Sequence, residues 1–83
     1  RRAATLDRVS PGHKVVVTRI APSAEVDPSL LDYLHRHGLL PGAEFTVLEN
    51  STGAGIVVLA RGDAQISVGM QAAMTVWVEV IDQ

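Results

Sequence analysis

The sequence contains no cysteine. That excludes disulfide cross-links, thiolate catalysis and cysteine-ligated zinc, so stability has to come from apolar packing. Aromatic residues are nearly as scarce, with Tyr33, Phe45 and Trp77 making up the whole set. Proteins that stack nucleic-acid bases on ring faces need more of them. An excess of positive charge is also missing. Seven Lys and Arg stand against nine Asp and Glu, a formal net charge of −2. Arg1, Arg2 and Arg8 form the only basic grouping, so no direct nucleic-acid binding by this stretch is expected. No run approaches the roughly 18 apolar residues that a membrane-spanning helix needs. Arg1-Arg2 is followed by Ala-Ala-Thr-Leu-Asp-Arg, not by the long apolar segment of a secretory signal. These absences point to a cytoplasmic protein. The chain also opens without methionine, which fits a domain cut from a longer protein.

What is present suits one small domain. The 83 residues are 47% hydrophobic, drawn mostly from valine, leucine, isoleucine and alanine. Residues 1–10 are weakly patterned and read as a linker or N-terminal arm, leaving 11–83 as the folded unit. Ser10-Pro11-Gly12 is a turn signal, and His13 to Ile20 is dense enough in β-branched residues for a first strand. Asp27-Pro28 marks a helix start, with the carboxylate as N-cap and proline at the first helical position. That helix should run to about His37 and stop at Gly38, with Leu30, Leu31 and Leu34 as its apolar stripe. Asp32 and Arg36 stand four apart in the favourable order for an ion pair. Leu39-Leu40-Pro41-Gly42 then turns the chain into Glu44–Glu49, where Phe45 and Val47 point inward. A turn over 50–55, a strand over 56–61, a Gly62-Asp63 hairpin turn and a short strand at 65–68 follow. One helical turn at 69–74 should bury Met70 and Ala73. The last strand, 75–81, puts Val76, Val78 and Val80 on one face and Trp77 and Glu79 on the other. The fold class expected is mainly β: a five-stranded SH3-like small barrel with one α-helix between strands one and two.

No catalytic constellation emerges, so the chain does not read as an enzyme. Asp7, Ser10 and His13 are close in sequence but lack the nucleophile elbow and oxyanion hole of a hydrolytic triad. His35 and His37 are two apart, about 200° around a helix, and cannot share a metal. Glu25 and Asp27 form an acidic pair suited to a hard cation or to the helix N-terminus. These two are the candidate metal ligands. Trp77, on the less apolar face of the last strand, is a candidate partner anchor. Leu39 and Leu40 in the apolar turn are further candidates for partner contact.

Thr5-Leu6-Asp7-Arg8-Val9-Ser10-Pro11-Gly12, the valine strand and Leu34-His35-Arg36-His37-Gly38-Leu39-Leu40-Pro41-Gly42 resemble the FeoA-like domain. So do Ala64-Gln65-Ile66-Ser67-Val68 and Val76-Trp77-Val78-Glu79-Val80. The resemblance spans nearly the whole chain, and the helix-Gly-Leu-x-Pro-Gly turn is its most specific part. It implies an SH3-like barrel in one of two settings. The first is the C-terminal domain of iron- or manganese-dependent repressors similar to the diphtheria toxin repressor. There it modulates metal-activated DNA binding through contacts with its own chain's metal-binding, dimerisation and DNA-binding domains. Those other domains would carry any homo-oligomer. The second is a stand-alone accessory protein of ferrous-iron transport that binds a transporter's cytoplasmic GTPase domain. In some such repressors the C-terminal domain lends an acid and, three positions on, an amide to a metal site. The matching positions here are Asp27 and Leu30, and leucine cannot ligate. No cofactor tightly bound by this domain is therefore expected, while Fe2+ or Mn2+ would belong to the full-length protein.

Overall fold

Val15 and Val17, Phe45 and Val47, Val57 and Leu59, and Val76, Val78 and Val80 recur at intervals of two, and every one is buried. That spacing places them on one face of a pleated sheet. In the computed structural model, which describes residues 2–82, this sheet has six strands. They are β1 (Arg2–Thr5), β2 (Lys14–Ile20), β3 (Glu44–Ser51), β4 (Ile56–Arg61), β5 (Ala64–Gly69) and β6 (Val76–Val80). Their spatial order is β1-β6-β2-β3-β4-β5, with all neighbours antiparallel. Three helices complete the chain: α1 (Pro22–Glu25), α2 (Pro28–Arg36) and α3 (Met70–Ala73). The mainly β, SH3-like architecture holds. Among the described residues no polar or charged side chain is buried, and Phe45 is the one aromatic in the core.

The strand count is six because residues 2–9 are not a free arm. Arg1 lies outside the described residues. Arg2–Thr5 pairs with β6, from Arg2 opposite Val80 to Thr5 opposite Trp77. A 3-10 turn at Leu6–Arg8 follows, and Leu6 and Val9 are buried in the core. Nothing local announces this strand, since Arg-Ala-Ala-Thr neither alternates nor carries a β-branched run. It exists through pairing with residues more than seventy positions away. Asn50 then fixes the segment, its Nδ2 donating to the carbonyls of Asp7 (2.8 Å) and Val9 (2.9 Å). Asn50 was expected in the turn but is a residue of β3.

The helix after β2 follows its local signals closely. Asp27 Oδ1 accepts the Leu30 N–H at 3.2 Å, and Pro28 opens α2 with no N–H to strand. The far end is a Schellman motif. Gly38 takes φ +73°, its N–H bonds the His35 carbonyl at 3.1 Å, and the Leu39 N–H bonds the Leu34 carbonyl at 2.9 Å. Leu34 and Leu39, brought together by that motif, are both fully buried. Asp32 and Arg36 form the exposed ion pair at 2.9 Å. A second short helix, α1, fills the stretch after β2, where only a break was expected. In α3 it is Ala72 and Ala73 that are buried, while Met70 is only partly covered.

Candidate interaction surfaces

Two surfaces present side chains at the margin of the core. The first is an open groove of about 520 Å³ between the start of α2 and α3. Leu30, Tyr33 and Ala72 supply its apolar lining, and Asp27, Ser29 and Gln71 its polar edge. Tyr33 is set in place at both ends. Its hydroxyl donates to the Ser67 carbonyl at 3.0 Å, tying α2 to β5, and its ring lies 4.5 Å from that of His37. Beside the groove, Glu25 closes α1 and Val26 stands 83% exposed between the two acids. Glu25 and Asp27 are thus near in sequence but differ in role. Asp27 caps α2, whereas Glu25 sits in the last turn of α1 and caps nothing.

The second surface is the outward face of β1, β6 and β2 around Trp77. Trp77 stands opposite Thr5 on one side and Arg19 on the other, and the Arg19 guanidinium carbon lies 4.7 Å from its ring centroid. A cation over an indole face at that range contributes about 0.5–1 kcal/mol at an exposed site. The Thr18 hydroxyl donates to the Trp77 carbonyl at 3.2 Å. Trp77 therefore lies on the face predicted from the valine alternation, and it is half-buried.

The other sequence candidates divide. Leu40 is 41% exposed and remains available to a partner. Leu39 is not available: the Schellman geometry turns it into the core, at 0% exposure. The turn's apolar pair is one core residue and one surface residue, and composition alone does not separate them. His13 meets neither Asp7 nor Ser10. Its Nδ1 lies 3.2 Å from Asp82 Oδ1 at the far end of the chain. Sequence reasoning missed Arg19 altogether. Its signal lies in a register shift, which shows only when β2 and β6 are laid side by side.

The FeoA domain model matches residues 4–80. The chain belongs to the FeoA domain family. A manganese-dependent transcriptional repressor resembles this FeoA domain at 28% identity and TM-score 0.83, over 95% of this chain. The match takes up 42% of the repressor, so this chain spans less than half of that relative's length. An iron uptake regulatory protein, FeoA, is similar at 26% identity and TM-score 0.82, over 96% of this chain and 100% of its own. A FeoA-like protein from Clostridium acetobutylicum shares the fold at 19% identity and TM-score 0.80, over 100% of this chain and 92% of its own. No curated protein matches the chain. Among the described residues no helix of this FeoA domain is long and apolar enough to cross a membrane.

The donor set of the domain does not fit a metal centre by itself. Among the described residues no three His, Asp or Glu side chains gather closely enough to hold an ion. One Asp27 oxygen is committed to the Leu30 N–H, and the Leu30 side chain lines the groove with carbon. A stable site takes three or four ligands.

Proposed function

We propose that this FeoA domain is a regulatory interaction domain of a metal-dependent transcriptional repressor. In this reading it modulates metal-activated DNA binding by touching the metal-binding, dimerisation and DNA-binding domains of its own chain. The observation that carries the proposal is a pair of matches. Manganese-dependent repressors resemble it at 27–28% identity over 95–98% of its length, and the matched part is only 38–42% of those repressors. The chemistry agrees with a contact role. The domain offers the exposed apolar side chains Val26, Leu40, Leu48 and Met74, a half-buried Trp77, and no ion-holding cluster among the described residues. Fe2+ or Mn2+ would be held by the remainder of the full-length protein, in the cytoplasm. There Asp27, and less directly Glu25, would lend at most a single carboxylate oxygen. Trp77 and Leu40 are the side chains we assign to the partner contact.

The coding DNA upstream of Arg1 tests this reading. An in-frame helix-turn-helix followed by a segment rich in His, Glu and Asp is the expected result. A start codon within a few residues would overturn it. The isolated 83 residues should also leave operator DNA unshifted at moderate salt, because DNA affinity would reside elsewhere in the chain. A free-standing FeoA protein of ferrous-iron transport is the second reading, favoured by the relative that this chain matches over its full length. It predicts co-purification with a transporter's cytoplasmic GTPase domain.

A further inference from the structure

Strand β2 carries a β-bulge whose effect is to turn one arginine outward. Up to Val17 the strand alternates normally, with Val15 and Val17 buried. Unbroken alternation would send Arg19 into the core beside them. The register with β6 instead jumps from Val17 opposite Val78 to Arg19 opposite Trp77, leaving Thr18 as the extra residue. Bulges re-aim side chains in this way. Ile20 then turns toward the core opposite Val76, and Arg19 comes out over the indole of Trp77, its guanidinium carbon 4.7 Å from the ring centroid. The Thr18 hydroxyl bonded to the Trp77 carbonyl fastens the bulge to the residue it serves.

The guanidinium is thus held by its face and not by an acid. Among the described residues the side-chain ion pairs are His13–Asp82 and Asp32–Arg36, so no carboxylate there engages Arg19. A guanidinium over a ring face still has N–H groups to offer, and its planar fork can bind a carboxylate through two parallel bonds. The surroundings fix where that acid can sit. One row of the face reads Thr5, Trp77, Arg19, and the next reads Ala3, Glu79, Val16, Glu44. An incoming carboxylate is drawn to Arg19 in the Trp77 row and disfavoured beside Glu44 at the end of the neighbouring row. That contrast orients whatever docks.

We propose that Arg19 and Trp77 form the preorganised anchor of a docking site for a carboxylate-bearing segment of a protein partner. This rests on the reading of the domain as an interaction module and supplies its chemistry. An Asp or Glu side chain reaches the Arg19 fork while an apolar neighbour covers the indole. Tryptophan and arginine are the residue types that dominate binding energy at protein interfaces, and here the two are in contact.

Trp77 is the only tryptophan in the chain, so its fluorescence reports on this site alone. The probe is a capped peptide of alternating valine and glutamate, titrated into residues 1–83 at low salt. Its controls are the same peptide with glutamine for glutamate, inorganic phosphate, and a short DNA duplex. A saturable change with the glutamate peptide, weakened by salt, is expected, with a response at least about tenfold weaker from the glutamine peptide. Arg19→Gln should abolish the response. Arg19→Lys should reduce it several-fold, since lysine keeps the charge but loses the planar fork. Arg19 is exposed, and circular dichroism melts of both variants establish that they fold. Equal binding by the glutamine peptide, or no saturable change, overturns the proposal. Binding of phosphate or duplex in place of the peptide overturns it in favour of a phosphate partner. None of these results depends on the gene upstream of Arg1, so failure here and failure of the repressor reading are separate events.

Discussion

The segment from Arg2 to Val9 and the segment from Asp27 to Gly42 both clamp the same sheet, by opposite means. The later one is built from neighbours. Asp27 caps Leu30, Pro28 starts the helix, Gly38 ends it, and Leu34 meets Leu39 five positions on. The earlier one is built from strangers. Its strand pairs with β6 at the other end of the chain, and its turn hangs from two bonds donated by Asn50. Local fastening is written in turn chemistry and periodicity, and non-local fastening is visible only once the sheet has assembled. The two should therefore fail differently when broken.

The largest effect is expected at Leu39. It is fully buried where α2 gives way to the turn before β3, and it closes the Schellman motif onto Leu34. Leu39→Ala keeps that backbone bond but removes most of a fully buried side chain and leaves a cavity, a loss of about 2–5 kcal/mol. Leu40→Ala, one residue on and 41% exposed, should move stability by no more than about 0.5 kcal/mol. Urea unfolding of the pair measures both. Equal losses at the two positions would mean that the turn does not separate core from surface as described.

That pair also marks how much was legible beforehand. The helix start at Asp27, its end at Gly38, the inward set Phe45, Val47, Val76, Val78 and Val80, and the outward Trp77 all follow from capping and period-two alternation. The FeoA resemblance could be drawn from the same residues. Leu39 and Leu40 could not be told apart, because both are leucines in an apolar turn and only the left-handed Gly38 decides which one turns in. β1 was hidden because two alanines carry no strand signal, so residues 1–10 read as a linker or N-terminal arm. Arg19 was hidden for a different reason. Sequence alternation assigns it inward, and a bulge opposite β6 reverses the assignment.

Asn50→Ala gives the next largest effect and bears on the contrast between the two clamps. The substitution removes both side-chain bonds to the Asp7 and Val9 carbonyls in a partly buried setting, a loss of about 1–3 kcal/mol. Its signature is regional. Amide exchange should speed up first in residues 2–9 and in the β6 amides paired with β1, while α2 keeps its protection. Uniform acceleration across both segments would show that the N-terminal residues are not fastened independently.

The smallest effect belongs to a third non-local fastening, at the other end of the chain. Asp82 Oδ2 accepts the Lys14 N–H at 2.8 Å, Oδ1 meets His13 Nδ1 at 3.2 Å, and the Ile81 N–H bonds the Lys14 carbonyl at 2.9 Å. The Lys14 N–H is the main influence holding the Asp82 carboxyl below its ordinary value of 3.8. Desolvation opposes it and His13 adds to it. A carboxylate whose pKa is lowered by folding stabilises the fold above its unfolded value, and that contribution disappears as pH falls through the folded one. Wild type should therefore melt above Asp82→Asn at neutral pH, by a small margin because the pair is exposed. The margin should shrink as pH drops below 3.8, and its charge part is gone once pH lies below the lowered folded value, where both chains carry a neutral group. Asparagine keeps an acceptor for the Lys14 N–H, so whatever difference survives in acid reports geometry and not charge. A margin unchanged between neutral and acid pH would mean that the Asp82 charge contributes nothing to holding β2 and β6 together.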